Sequence, residues 1–469
     1  MNISTQVADY AIDTSWDNFD QSTLDRVKDR ILDSLGTIII GKDADGNDAA
    51  TKVYAAEGGP EEATVLGRGI RTSAASAATI NALMQRSWDF EASGAEDDCQ
   101  RLHPAHVSGS TFPTALAMAE REHATGKDLI RALILGDDVA TRITVASGFN
   151  LAIGTDNTGI SNGFGCVVTA GTLMGINQQQ MVDAFGLVLN QLSGTIENIF
   201  DGALAFKLPQ AMSARNAINS VDLALAGFSG PKDPLGGRFG FFSLYGGNSD
   251  TDSLLKELGQ RFYGDKVLKP WSCCRIVQGP VEATTVLRQK IDIDEIKEIQ
   301  IVAPARVLNG FTAVPYVHGE STPVAAIFNL AICVVLGLEY GEVRPELIND
   351  EVLGSVRVRS LHEKTRLVDS ASNEGGSAPT GADPIRVEIE MHDGQVVSES
   401  SAVALGDIYA NPLSREQFLD KYYRNMEHGG VNRETSDQVR HLVENLEAVE
   451  DISQITSLLA GPFTTPGNR

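Results

Sequence analysis

Residues 81–120 hold the side chains of this sequence best suited to moving a proton. Two alanine-rich segments flank a linker that carries Trp88, Asp89, Phe90, a run of further acids, His103 and His106. An aspartate that ends one helix can meet a histidine that starts the next across a cleft, where the carboxylate orients or charges the imidazole. Asp89, between Trp88 and Phe90, reads as buried and available for that role. Glu91, Glu96, Asp97 and Asp98 read as solvated loop charges. Farther along, Cys273 and Cys274 are adjacent and close to Lys269; a buried structural pair explains them better than a reactive thiol.

Other chemistries lack their signatures. There is no P-loop, and the glycine-rich stretches 159–165, 236–240 and 247–250 lack the strand-before, helix-after context of a dinucleotide site. The five cysteines make no cluster at zinc-ligand spacing. Neither metal nor organic cofactor is therefore expected. Sixty-two acidic against 38 basic residues give a formal net charge of −24, so nucleic acid and acidic membrane surfaces are poor partners. The longest apolar runs, 35–40 and 327–338, fall short of the roughly 20 residues that cross a bilayer. The first residues are polar and acidic, without the basic-then-apolar pattern of a secretory signal. A cytoplasmic protein with free thiols is expected.

The elements that must position these side chains are helical for about the first 265 residues. Apolar spacing places helices at 22–41, 73–86, 113–123, 127–146, 166–175, 178–194 and 210–227. Ser22 or Thr23 is the expected N-cap of the first, and Gly126 and Gly175 are expected stops. From about residue 270 the pattern changes. Residues 297–303 and 352–359 read as strands, 369–383 as a loop, and the alternating stretch around Asp393–Gly394 as a hairpin. After Pro412 helices return at 414–424, 433–447 and 452–459. The fold class is mostly α: a large all-α domain (1–266), a smaller α+β domain (267–405) and a helical tail (406–469) that packs back on the first.

Segments spread over nearly the whole chain resemble the MmgE/PrpD family, and they fall in its order. NA...DF, then a loop, then HP or H and a P-x-A-L-A-x-A-E helix is similar to its first motif. GKDLIRALILGDDVATRI, LALAGFSGPKDPLGGRFGFFSLYGG, LKPWSCCRIVQGPVEA and NPLSREQFLDKYYRN resemble the next four. The resemblance implies a helical domain plus a small α+β domain, a dimer, and a site between the domains. It also implies cofactor-independent acid–base chemistry on a small, anionic di- or tricarboxylic acid.

By position, the resemblance assigns catalytic roles to Asp89, His106, Lys207 and Lys269, His106 because it precedes Pro113 by seven residues. It makes His103 and Arg275 substrate contacts, together with Ser161 and Gln278, which stand where relatives carry histidine. Further departures are Arg86 for a histidine, Ala92 for an aspartate and Ile332 for a tyrosine; His318 is a candidate to compensate. Loss of a proton, a β-hydroxyl or CO₂ beside a carboxylate builds an enolate-like anion that pre-placed cations stabilise. Arg275 has the planar fork that clamps a carboxylate. Dehydration is the leading reaction; epimerisation or isomerisation, decarboxylation, and a non-catalytic binding protein that keeps the fold are the alternatives.

Overall fold

Seven apolar residues at helical spacing explain why Gln21–Gly41 runs through the first core: Leu24, Val27, Ile31, Leu32, Leu35, Ile38 and Ile39 are all buried. In this computed structural model, which describes residues 1–148, 154–370 and 385–465, Asp20 caps that helix. Its carboxylate accepts from the Thr23 amide at 2.7 Å, so neither Ser22 nor Thr23 is the cap. Around it pack Ala74–Arg86, Ser108–Arg121, Gly126–Ala146, Asn162–Leu173, Gln178–Leu189 and Leu208–Leu225. Small residues let these helices approach closely. A Cβ on Gly165 would lie 2.4 Å from the Gly136 carbonyl oxygen, so glycine is required at that crossing. Gly126 opens a helix rather than ending one, because Thr125 and Asp128 form a capping box at that point. The helices Arg415–His428 and Arg433–Glu444 return to the same core and bury Phe418, Tyr422, Met426, Val439 and Val443.

The strands, in chain order, are β1 (Ala63–Val65), β2 (Ile70–Thr72), β3 (Ser93–Glu96), β4 (Leu102–His103), β5 (Asp265–Val267), β6 (Ile296–Ala303), β7 (Thr365–Asp369), β8 (Arg386–Met391) and β9 (Val396–Ser400). The second core rests on a four-stranded sheet of order β7-β6-β8-β9. Its inner face includes Ile299 opposite Ile389 and Ile301 opposite Val387, and the helices Arg275–Leu287 and Leu330–Tyr340 bury side chains in the same core. The hairpin at Asp393–Gly394 forms as expected, with Gly394 at φ +89°.

Residues 352–359 do not form a strand. The Ser355 hydroxyl caps a helix, Val356–Glu363, that buries Val358 and Leu361 at three-residue spacing and leaves Val356 exposed. The strand of that region is β7, one turn later. The loop expected at 369–383 lies almost wholly outside the described residues.

A small three-stranded sheet, β4-β3-β5, lies where the sequence read as linker. Ser93 pairs with Val267 and Ala95 with His103, both antiparallel. Asp89–Glu91 lead into β3 and Lys269 follows β5, so they lie at the same end of this antiparallel pair. Gly94, at φ +87°, sits in the middle strand where a Cβ would meet Leu102 at 2.7 Å. The neighbouring segments β3 and β4 and the remote β5 thus meet in one short sheet, with Asp89, Glu91 and Lys269 toward one end of it.

Candidate active site

At that end, Arg86 closes the Ala74–Arg86 helix and the chain turns sharply through Asp89, whose φ of 46° is left-handed. Such a conformation in a non-glycine residue costs on the order of 1–3 kcal/mol and persists only where surrounding bonds impose it. Here they do. Ser272 Oγ donates to the Trp88 carbonyl at 2.8 Å, Lys269 Nζ to the Asp89 carbonyl at 2.6 Å and Lys421 Nζ to the Phe90 carbonyl at 2.8 Å. Three consecutive carbonyls are therefore each held by a side chain from elsewhere in the chain. His106 is held through its own backbone: Asn162 Nδ2 donates to its carbonyl at 2.8 Å. Just beyond it, Asp265 accepts from the Val107 and Ser108 amides and tethers the Ser108–Arg121 helix start to β5.

The charges interlock. Arg86 Nη1 donates to Asp89 Oδ1 and, at 2.9 Å, to Glu91 Oε1. Lys269 Nζ lies 3.1 Å from Asp89 Oδ1. The His106 ring is bracketed by the two acids, Nδ1 at 3.0 Å from Glu91 Oε1 and Nε2 at 3.6 Å from Asp89 Oδ1. Asp89, Glu91, Arg86 and Lys269 are buried, and the His106 side chain, at 16% exposure, is where the cluster reaches solvent. Burial, then Arg86 and Lys269, hold the His106 pKa well below its ordinary value against the pull of Asp89. For Asp89, burial pushes the pKa up, but the charges of Lys269 and Arg86 oppose it and the carboxyl stays below its usual range. The result is a neutral imidazole beside an ionised Asp89. Arg275, the first residue of the Arg275–Leu287 helix, is half-buried, close enough to help lower the His106 pKa, and makes no ion pair among the described residues.

Asp89, Glu91 and His106 each offer a ligand atom within 4.8 Å of the others, but this donor set does not fit a divalent ion. The same Asp89 and Glu91 oxygens already face Arg86 and Lys269, which neutralise both carboxylates.

Of the residues singled out in the sequence, Asp89, His106 and Lys269 meet here, with Arg275 beside them. The others do not. Lys207 donates to the Asp45 carbonyl at 2.7 Å and to Asn47 Oδ1 at 3.4 Å, and burial lowers its pKa to about 8. His103 is drawn off by Asp97, with Nε2 3.1 Å from its Oδ2. Ser161 shares its hydroxyl with Thr144 and the Asn157 carbonyl. Gln278 spends its amide hydrogens on the Trp271 and Cys273 carbonyls. His318 pairs with His362 at 3.0 Å, both half-buried against Tyr316. Burial pushes Cys273 up and Cys274 up to about 12, which leaves both as inert thiols.

Several participants were not expected. Glu91 is fully buried and central rather than solvated; Glu96 and Asp97 are buried too. Arg86 fills the space between the acids. Lys421 supports the site from the tail, with Nζ 2.5 Å from Asp33 Oδ1 and 4.1 Å from the Phe90 ring centroid. The only signal for Lys421 was the tail motif that contains it.

Over residues 5–253 the chain matches the MmgE/PrpD N-terminal domain, and over 271–448 the MmgE/PrpD C-terminal domain. The chain belongs to the MmgE/PrpD family. Among its relatives, the cis-aconitate decarboxylase of Aspergillus terreus is 23% identical, covering 99% of this chain and 97% of that protein. The cis-aconitate decarboxylase of Mus musculus is 24% identical over 93% of this chain and 89% of the relative, and that of Homo sapiens 23% over 94% and 90%. The family assignment agrees with the architecture of a mostly helical chain with a smaller α+β part.

Lys421→Met strands Asp33 as a buried, unpaired carboxylate, so it should cost about 3–5 kcal/mol in urea unfolding. Adding Asp33→Asn to that variant should restore a good part of the loss. A single variant within 1 kcal/mol of the parent would show that the tail does not brace the site.

Proposed function

We propose that the protein is a cofactor-independent lyase that removes a proton from carbon beside a carboxylate and expels a β-hydroxyl as water. The observation that carries this reading is the placing of His106 where the buried cluster reaches solvent, its ring nitrogens 3.6 Å from Asp89 and 3.0 Å from Glu91; burial, Arg86 and Lys269 lower its pKa, so at pH 7 the ring is in its unprotonated form. In the step, the Nε2 or Nδ1 lone pair takes the proton. The C–H electron pair becomes the new double bond as the C–O bond breaks. The proton held on His106 then converts the departing hydroxide to water, which returns the ring to neutral. In this reading Lys269 and Arg86, buried behind Asp89 and Glu91, would supply the positive field that lowers the energy of developing enolate charge. Arg275 would orient the substrate carboxylate.

A second reading, decarboxylation, is favoured by the relatives, which carry that activity in their names. It breaks a C–C bond and leaves an electron pair on carbon that must be protonated. A histidine held neutral is less suited to that task than to taking a proton. Epimerisation would share the deprotonation and differ only in the return of the proton to the opposite face. We further propose a homodimer, since Phe228, Phe239 and Leu244 are 60%, 70% and 56% exposed. Five unpaired cysteines fit a reducing cytoplasm.

Incubation with small hydroxy and unsaturated acids in D₂O, followed by NMR, separates these reactions by product. His106→Ala should lower turnover by about 10²–10⁴-fold, while His103→Ala leaves it near normal. Near-normal turnover in His106→Ala would contradict the assignment. Exhaustive chelation should leave turnover intact; a loss reversed by one divalent ion would contradict the charge accounting of the site.

A further inference from the structure

We infer that His318 and His362 form a binding site for one divalent cation of the zinc class, separate from the acid–base cluster. The inference stands independently of the function proposed above. His318 lies in the loop 314–322, and His362 in the last turn of the Val356–Glu363 helix. His318 Nε2 is 3.0 Å from His362 Nδ1, with the ring centroids 5.0 Å apart and the ring planes at 76°. Two imidazole nitrogens that share a metal at about 2.0–2.1 Å, with bond angles of about 90–109°, stand about 2.9–3.4 Å apart. The pair already has the separation that coordination needs, and it is reached from two elements 44 residues apart. Without a cation the contact is a hydrogen bond, one ring donating and the other accepting. Coordination uses both lone pairs, so His362 has only to carry its proton on Nε2 rather than Nδ1.

The surroundings suit such an ion. Both rings are half-buried and meet Tyr316 edge-on, at 5.3 and 6.2 Å, which limits their freedom to turn. Burial lowers the proton affinity of both; Arg359 adds to this at His318, and His318 adds to it at His362. The Leu353 carbonyl opposes the shift at His318, and Glu363 opposes it at both rings. Both imidazoles are thus unprotonated at pH 7, as a ligand must be. Glu363 is exposed and enters no ion pair among the described residues, so its carboxylate is free to turn toward a cation as a third ligand. Two imidazoles and one carboxylate favour zinc and its neighbours over calcium or magnesium, which take oxygen ligands. The contrast with Asp89, Glu91 and His106 is the placing of the positive charge. There, buried Arg86 and Lys269 occupy the carboxylates; here Arg359 is exposed, where water and salt screen it. An ion at this place ties the loop 314–322 to the helix and stabilises the folded chain. It takes no part in proton transfer at His106.

Calorimetric titration of the full-length protein with zinc chloride, after dialysis against EDTA and then buffer at neutral pH, should find one ion per chain with a micromolar dissociation constant. Zinc at about 100 µM should also raise the thermal unfolding midpoint. His318→Gln and His362→Gln, each with an unfolding curve in EDTA that matches the parent, should weaken binding at least tenfold and abolish that rise. Glu363→Gln should weaken it by less. Cys99→Ser, which removes the thiol from the surface set Asp97, Asp98 and Cys99, should leave zinc binding as it is, and so should His106→Ala. In the parent protein labelled with ¹⁵N-histidine, two of the eight histidines should shift on zinc addition. A parent that binds no zinc at about 100 µM, where a micromolar site would be nearly full, would overturn the inference. Binding that survives the double variant His318→Gln/His362→Gln, or that is lost in Cys99→Ser or His106→Ala instead, would overturn it too. Fewer than two shifting histidines would do the same, whichever variants fold.

Discussion

The left-handed turn at Asp89 is the constraint on which the site depends. It points the Asp89 carboxylate toward Arg86 and Lys269 and exposes three successive carbonyls, at Trp88, Asp89 and Phe90, to donors from Ser272, Lys269 and Lys421. A hydrogen bond from a charged donor contributes about 1.5–3 kcal/mol, so two such bonds and a hydroxyl offset the conformational cost of the turn. The donors come from the start of the α+β part and from the C-terminal tail. Folding of three remote regions is thereby coupled to one backbone conformation.

Burial makes that coupling chemical. In water, an ion pair this close contributes little. Behind Phe90 and against two hydrophobic cores, the same pairs shift proton affinities strongly. Lys269 serves both purposes: its ammonium bonds the Asp89 carbonyl and neutralises the Asp89 carboxylate. Arg86 spans both acids, which leaves the histidine facing anions at each ring nitrogen while the cations behind them prevail. Where relatives are expected to place a histidine, this chain places Arg86, and the proton-binding capacity of the cluster then rests on His106.

Much of this was legible from residue types. The helical spacing of 22–41, the Asp393–Gly394 hairpin and the pairing of Asp89 with a histidine are local signals, and local signals survive without tertiary information. Strand β3 was not legible, because Ser93–Glu96 is short, contains Gly94 and lacks β-branched residues; only pairing with β4 and β5 makes it a strand. Glu91 read as solvated because nothing in a linear sequence shows Arg86 folding back over it. Residues 352–359 read as a strand, yet Ser355 as a cap and Val358 with Leu361 as a helical pair won. Lys207 matched a motif position, but a side chain's direction is set by its partners, here Asp45 and Asn47.

The central claim is that the buried ion cluster keeps His106 neutral. Titration of the protein with ¹⁵N-labelled histidine, monitored by NMR and assigned by the signal missing from His106→Ala, measures that directly. The account places the His106 midpoint clearly below the ordinary value of 6.5, and Arg86→Gln should raise it, because removing a cation favours the protonated ring. A His106 midpoint at or above 6.5 in the parent protein, or one that Arg86→Gln leaves unmoved, would contradict the account.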